Sequence, residues 1–342
     1  MDIAFRVDGG SEIGMGHVIR CLELAKMLRQ YNNVFFVCRF DNEISSKYAP
    51  GISIIKNNGF NVEIINEKKL YEDIKKLNAD CIITDSYDVD EKYFEILKSN
   101  FKYSGCFDDE CMCSYFNVDF LINQNFYAKE LNYKINQNTK MILGSKYIIL
   151  RDEFRKNNEE KIISKEIRDI MLTVGGSDNN NNTEKIIKQF LNSNYKVHIV
   201  VGNGFTNVEK FKKYRSENVK IYFDANMKKL MSMCDICISS CGTTIYELIS
   251  MGIPTIAITV AENQKMLYNY IKKNFLAEVS EIDTVYEKIK TLTYDKRKQL
   301  NSRMKNIVDG KGVVRMSFEI EKKLKGVSNN EYINNSSTYG ID

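Results

Sequence analysis

The chain contains no tryptophan and only two histidines in 342 residues. With imidazole so scarce, the setting of each one matters. His17 follows a glycine-rich loop, and His198 lies inside the apolar run Val197-His198-Ile199-Val200. Long hydrophobic runs are missing too. The longest, such as 253–261, falls short of the ~20 apolar residues that cross a bilayer. No basic segment followed by an apolar stretch opens the sequence, so no secretory leader is read and a cytoplasmic protein is expected. There is no dense basic run, and a net charge of +4 does not argue for a nucleic-acid partner or a membrane. No Gly-Lys-Ser or Gly-Lys-Thr occurs, so a nucleoside-triphosphate P-loop is not supported. The nine cysteines are odd in number and scattered, which argues against a disulfide framework. Cys106, Cys111 and Cys113 lie close together in the chain. Cys234, Cys237 and Cys241 have a metal-like spacing, but no fourth ligand is near and Cys237 falls in an apolar strand pattern. Packing as small hydrophobes is the preferred reading, with no metal and no cofactor expected.

What is present reads as a soluble globular chain, 27% charged and 43% apolar, long enough for two domains with separate cores. Strand signals fall at 3–7, 34–39, 61–65, 81–84, 103–107 and 120–122. Helical patterns separate them at 18–29, 43–57, 70–77 and 91–98. Such alternation predicts βαβ units and a parallel sheet. The stretch 128–167 is irregular and polar and reads as a domain connection. A second series follows, with strands at 169–174, 196–201, 219–223, 235–239 and 255–259. Its helices are expected at 183–191, 207–216, 227–233, 243–251 and 263–274, and later ones at 280–292, 294–308 and 313–325, with Gly310 and Gly312 punctuating the last two. The expected division is a first α/β domain over 1–150, a second over 151–310, a terminal helix over 311–325 and a mobile tail over 326–342. The fold class is α/β, two Rossmann-like parallel-sheet domains facing across a cleft, because such sheets bind ligands beyond the carboxyl ends of their strands. A monomer is expected.

The stretch Arg6-Val7-Asp8-Gly9-Gly10-Ser11-Glu12-Ile13-Gly14-Met15-Gly16-His17 runs from a strand through a loop into an amphipathic helix with Val18, Leu22, Ala25 and Leu28 on one side. Gly14 and Gly16 let the backbone approach a ligand closely. At a helix N-terminus the dipole disfavours imidazolium, and a neutral His17 can take a proton from water as a general base. Arg6 and Asp8 alternate along the strand, so both project to one face, and Asp8 is a candidate to orient His17 or a sugar hydroxyl. A glycine turn with an incidental histidine is the bland alternative. His198, in its apolar strand, reads as structural. A dinucleotide fingerprint beginning at Gly14, with Asp41 as the ribose acid, fails because the third glycine position is Ile19 and the loop is too long.

In the second half, Gly175-Gly176-Ser177-Asp178 follows a strand and suits a loop that approaches a phosphate or sugar. The segment Ser239-Ser240-Cys241-Gly242-Thr243-Thr244-Ile245-Tyr246-Glu247 runs from strand to helix. Helix-start N–H groups with the hydroxyls of Ser240, Thr243 and Thr244 make a pyrophosphate cradle, and Glu247 can accept from ribose hydroxyls. An ordinary turn and a solvent-facing glutamate are the alternatives.

Taken together these motifs resemble the UDP-2,4-diacetamido-2,4,6-trideoxy-β-L-altropyranose hydrolases of pseudaminic acid biosynthesis, relatives of the lipid II-forming N-acetylglucosaminyltransferase. The resemblance covers residues 1 to about 275. It rests on Arg6-x-Asp8, Gly14-x-Gly16-His17-x-x-Arg20, Asp85-Ser86-Tyr87, Phe107-Asp108-Asp109, Asn123-Gln124-Asn125, Gly144 with Tyr147, Leu150 and Arg151, the 175–178 and 240–247 loops, and Asn263-Gln264. It implies the GT-B fold, His17 as base, and UDP held by the second domain through Gly175, Gly176, Ser177, Ser240, Gly242, Thr243, Thr244 and Glu247, with Asn263 and Gln264. Tyr87, Asn123 and Asn125 would face the sugar, and Arg6, Gly14, Gly16 and Arg20 would join the substrate site. Position 86 is Ser where some relatives carry His, so that residue is not essential or the sugar differs. Spore coat polysaccharide biosynthesis proteins are similar at the same N-terminal motif. The reaction implied is inverting hydrolysis of a UDP-sugar. A GT-B glycosyltransferase and a non-catalytic nucleotide-sugar-binding protein are the alternatives.

Overall fold

Among the described residues, thirteen strands, all paired in parallel, form two sheets. The computed structural model describes residues 1–40, 47–156, 160–202, 204–205, 208–223 and 225–326. Asp41, the start of the helix expected at 43–57, Asn207 and the expected tail from residue 327 onward lie outside the described residues.

The first unit runs β1 (Asp2–Val7), α1 (Gly16–Leu28), β2 (Asn33–Phe40), α2 (Ala49–Asn57), β3 (Val62–Asn66), α3 (Leu70–Ile74), β4 (Cys81–Asp85), α4 (Glu91–Asn100), β5 (Tyr103–Phe107), β6 (Phe120–Asn123) and β7 (Lys140–Leu143). Its strand order is β3-β2-β1-β4-β5-β6-β7. The order reverses direction between β1 and β4, and a crevice opens beyond the carboxyl ends at such a switch point. Side-chain alternation sorts the two faces. Ile3, Phe5 and Val7 of β1 and Cys81 and Ile83 of β4 pack with Val18, Cys21, Leu22 and Ala25 of α1. Ala4 and Ile82 pack on the other side, with Tyr93, Phe94 and Leu97 of α4. Asp90 starts α4 by accepting from the Tyr93 N–H at 2.8 Å.

The second unit runs α5 (Asp152–Arg155), β8 (Asp169–Thr173), α6 (Asn182–Phe190), β9 (Lys196–Val200), β10 (Val219–Tyr222), α7 (Met227–Met233), β11 (Ile236–Ser240), α8 (Thr244–Ser250), β12 (Thr255–Ile258), α9 (Lys265–Lys273), β13 (Glu278–Val279), α10 (Val285–Lys290) and α11 (Tyr294–Met304). Its order, β10-β9-β8-β11-β12-β13, turns at β8 and β11. His198, on β9, is buried between the Tyr222 hydroxyl at 2.9 Å and the Asp169 carboxylate at 2.8 Å.

The last helix, α12 (Gly312–Lys325), belongs with the first unit. By contacts, Met1–Ile13, His17–Arg151 and the described residues from Gly310 to Gly326 form one unit, and Gly14–Gly16 with Asp152–Asp309 form the other. Val313, Met316, Ile320 and Leu324 complete the core cluster of β1 and α1. Gly312 allows the approach, because a Cβ there would lie 2.0 Å from the Ile148 carbonyl oxygen. Two strands escape the sequence reading, β7 and the two-residue β13. The helix expected over 207–216 is a 3₁₀ helix, Val208–Tyr214.

Candidate active site

The switch point of the first sheet gathers its polar side chains around one guanidinium. His17 is the second residue of α1, and Arg20 lies one turn further on. Asp85 ends β4, opposite Val7 in register, and Asp109 follows β5. His17 Nδ1 lies 2.6 Å from Asp85 Oδ1. Arg20 donates to the same carboxylate from Nε at 2.6 Å and from Nη2 at 2.7 Å. Its Nη1 donates to both oxygens of Asp109, at 3.0 and 2.9 Å. Asp109 also accepts from Asn125 Nδ2 at 2.7 Å and from the Tyr87 hydroxyl at 3.1 Å. The Tyr87 ring stands edge-on to His17 with centroids 4.8 Å apart. Arg20 further lies over the Phe107 ring at 4.8 Å.

Burial makes these pairings obligatory, since a buried charge without a partner is expensive. Burial works against the charge of Asp85, but Arg20 and then His17 outweigh it and hold that carboxyl well below the usual carboxylate range. Burial likewise opposes the charge on Arg20, while Asp109 and Asp85 drive its pKa well above the ordinary value. An ionised Asp85 can only accept, so the short contact requires the proton on His17 Nδ1. In the neutral ring Nε2 is then the unprotonated nitrogen, and no described protein atom hydrogen-bonds to it. The His17 side chain is 12% exposed.

Four expected site residues, Asp8, Arg6, Arg20 and Asn123, are engaged with other protein groups. Asp8 does not orient His17. It accepts from the backbone N–H of Arg39 at 2.8 Å and from Arg39 Nε at 2.7 Å, and it pairs with Arg6 at 3.1 Å. Arg6 is completely buried and has no surface to offer a ligand. Alternation explains both, because Arg6 and Asp8 share the Ala4 side of β1 while α1 covers the other side. Arg20 is taken up by two carboxylates rather than directed at a substrate. Asn123 is also fully buried, and its side chain serves Tyr133 at 2.9 Å and Asn125 at 2.8 Å. Tyr87 is 37% exposed. Gly14 has φ +82° and open space where a Cβ would stand. The residues underrated in the sequence are Asp85 and Asp109. Their signal was an acid at or just after the carboxyl end of a strand, a position that faces the crevice of an open α/β sheet.

The second unit assembles the other expected residues, again at a switch point. Gly175, Gly176 and Ser177 follow β8, and Ser240, Gly242 and Thr243 lead from β11 into α8, which starts at Thr244. Gly175 takes φ +99°, and a Cβ there would touch Ser240 Oγ at 3.5 Å. The β9 loop braces this turn through Gly204 N–H to the Gly176 carbonyl at 2.8 Å. Asp178 caps α6, accepting from the N–H groups of Asn182 and Thr183 at 2.8 Å each. Glu247 is buried in α8. Asn263 and Gln264 lie in a 3₁₀ turn after β12, and Gln264 accepts from the Val260 N–H at 3.0 Å.

Two parallel sheets, each with its polar loops at the switch point, invite comparison with solved structures. MurG of Acinetobacter baumannii superposes with a TM-score of 0.65, covering 94% of this chain and 99% of that one at 13% identity. The fold is GT-B. Residues 169–314, nearly the whole second unit of this GT-B chain, match the glycosyltransferase family 28 C-terminal domain. An uncharacterized protein of Methanocaldococcus jannaschii is 31% identical over 291 residues, 80% of this chain; the match spans 59% of that relative's own length. The UDP-2,4-diacetamido-2,4,6-trideoxy-β-L-altropyranose hydrolase of Campylobacter jejuni is 27% identical over 80% of this chain and 97% of its own. Among the described residues, no helix is long and apolar enough to cross a membrane.

Proposed function

We propose that this GT-B chain hydrolyses a UDP-linked diacetamido-trideoxy sugar with inversion, releasing UDP and free sugar for nonulosonic (pseudaminic) acid biosynthesis. The observation that carries the reading is the His17–Asp85 contact of 2.6 Å, with Nε2 left without a hydrogen bond from any described protein atom. The similarity to the Campylobacter jejuni hydrolase supports the choice of sugar. His17 Nε2 takes a proton from water as the oxygen attacks the anomeric carbon from the side opposite UDP. The anomeric C–O bond breaks, and its electron pair leaves with the β-phosphate. Asp85 holds the imidazole and stabilises the imidazolium that forms. UDP is a good leaving group and needs no strong acid. In this proposal the 175–177 and 240–247 loops take the diphosphate and Glu247 the ribose, with Asn263 and Gln264 beside them. Tyr87 and Asn125 face the sugar.

The test uses the UDP-diacetamido sugar in ¹⁸O-enriched water with no acceptor present. Release of UDP with the label in the sugar is expected. Label in UDP instead contradicts attack at carbon. UDP release only after an acceptor is added would make the chain a glycosyltransferase, the reading favoured by the family 28 match.

A further inference from the structure

The arrangement around Arg20 is more than ion pairing in a buried place. Among the described residues, every hydrogen bond that Arg20 donates to an oxygen ends on Asp85 or Asp109. The fork of Nε and Nη2 spans both oxygens of Asp85, which fixes the plane of that carboxylate. Oδ1, one of the two oxygens so fixed, is the one that meets His17 Nδ1. Arg20 Nη2 also lies 3.2 Å from that nitrogen. Both are then donors converging on one acceptor, so a small rotation of the guanidinium would set Nη2 against Nδ1 and favour the opposite tautomer. Asp109 opposes such a rotation by gripping Nη1 with both of its oxygens. Asp109 is held in turn by Asn125 and Tyr87.

We propose that Arg20 and Asp109 are positioning residues that set the tautomer of the His17 base through Asp85. The proposal rests on the reading of His17 as that base. Neither residue touches the reacting atoms. Arg20 orients the acceptor, and Asp109 keeps Arg20 from turning toward the imidazole. A lysine at position 20 would keep the positive charge but lose the fork, and an asparagine at 109 would keep the shape but lose the charge-assisted grip.

Imidazole ¹⁵N NMR on the full-length, substrate-free protein reads the tautomer directly. With two histidines in the chain, His198 serves as an internal reference for folding. In the wild type, His17 is expected with Nδ1 protonated and Nε2 bare. In Arg20→Lys and Asp109→Asn, His198 should be unmoved while His17 shifts toward the Nε2-protonated form. In the same variants kcat on the UDP-sugar should fall by about tenfold or more, with KM changing by less than about threefold in Arg20→Lys, which leaves Tyr87 and Asn125 on Asp109. A neutral wild-type His17 with the proton on Nε2 and Nδ1 bare overturns the proposal, and that measurement stands even if both variants fail to fold. A tautomer unchanged in both folded variants also overturns it. Because the NMR arm needs no turnover, it decides the positioning role even if the chain proves not to hydrolyse the UDP-sugar.

Discussion

Asp8 and Arg39 are bound twice, backbone N–H to Oδ1 at 2.8 Å and Nε to Oδ2 at 2.7 Å, and Arg39 continues to Asp88 at 2.7 Å. This places Asp8 in the scaffold of the first unit, between two buried arginines, and leaves the His17 imidazole to Asp85.

Removal of Asp8 should therefore be a folding defect. Among the described residues, Asp8→Ala leaves Arg6 with no carboxylate and Arg39 with only the exposed Asp88. Breaking a buried pair from one side costs about 3–5 kcal/mol. A urea titration should show that loss, and an unchanged midpoint would contradict it.

Asp85→Asn should add a chemical defect to any loss of stability. An amide that turns its N–H toward His17 Nδ1 stabilises the wrong tautomer, and kcat is expected to fall by about 10²–10⁴. UDP affinity, measured by calorimetry, should be retained. A kcat within about tenfold of wild type would remove His17–Asp85 from the mechanism. His17→Ala should likewise abolish turnover while UDP still binds; lost binding would make His17 a ligand-holding residue.

The same carboxylate predicts a pH dependence. The folded pKa of Asp85 is depressed, so its contribution is fully present above the unfolded value of about 3.9. That contribution is lost as pH falls from there through the folded value. The stability difference between wild type and Asp85→Asn should narrow steadily as pH falls below about 4. Urea titrations across that range measure it, and a gap that widens toward acid would reverse the sign.

In the second unit, a Cβ on Gly202 would lie 2.6 Å from the carbonyl oxygens of both Gly175 and Gly176. Gly202→Ala must move the turn after β8. If that turn takes the diphosphate, UDP binding should weaken by about tenfold or more, equivalent to ~1.4 kcal/mol. Unaltered UDP affinity in a folded Gly202→Ala protein would detach the turn from the nucleotide.

Much of this architecture is written in local pattern. Apolar strands of a parallel sheet buried on both faces stand out as short hydrophobic runs, as 81–84 and 236–240 do. β7 escapes because its four residues Lys-Met-Ile-Leu bury only Ile142 fully, and β13 because two residues carry no period. His17 was legible from its glycine loop and helix. Its partner was not, because His17 meets Asp85 across 68 residues, and Arg20 meets Asp85 and Asp109 across 65 and 89. Alternation could have decided between Asp8 and Asp85 once the faces were assigned, since Cys81, Ile83 and Asp85 share the side that α1 covers.

The return of α12 to the first unit has a consequence for biosynthesis. Val313, Met316, Ile320 and Leu324 leave the ribosome only after the whole of Asp152–Asp309. At roughly 5–20 residues per second, the β1–α1 core waits on the order of 10–30 s with one apolar wall missing. The second unit has all its strands in that interval, so the nascent chain matures from its middle outward, and a chaperone would meet the first unit as an open sheet rather than a finished one.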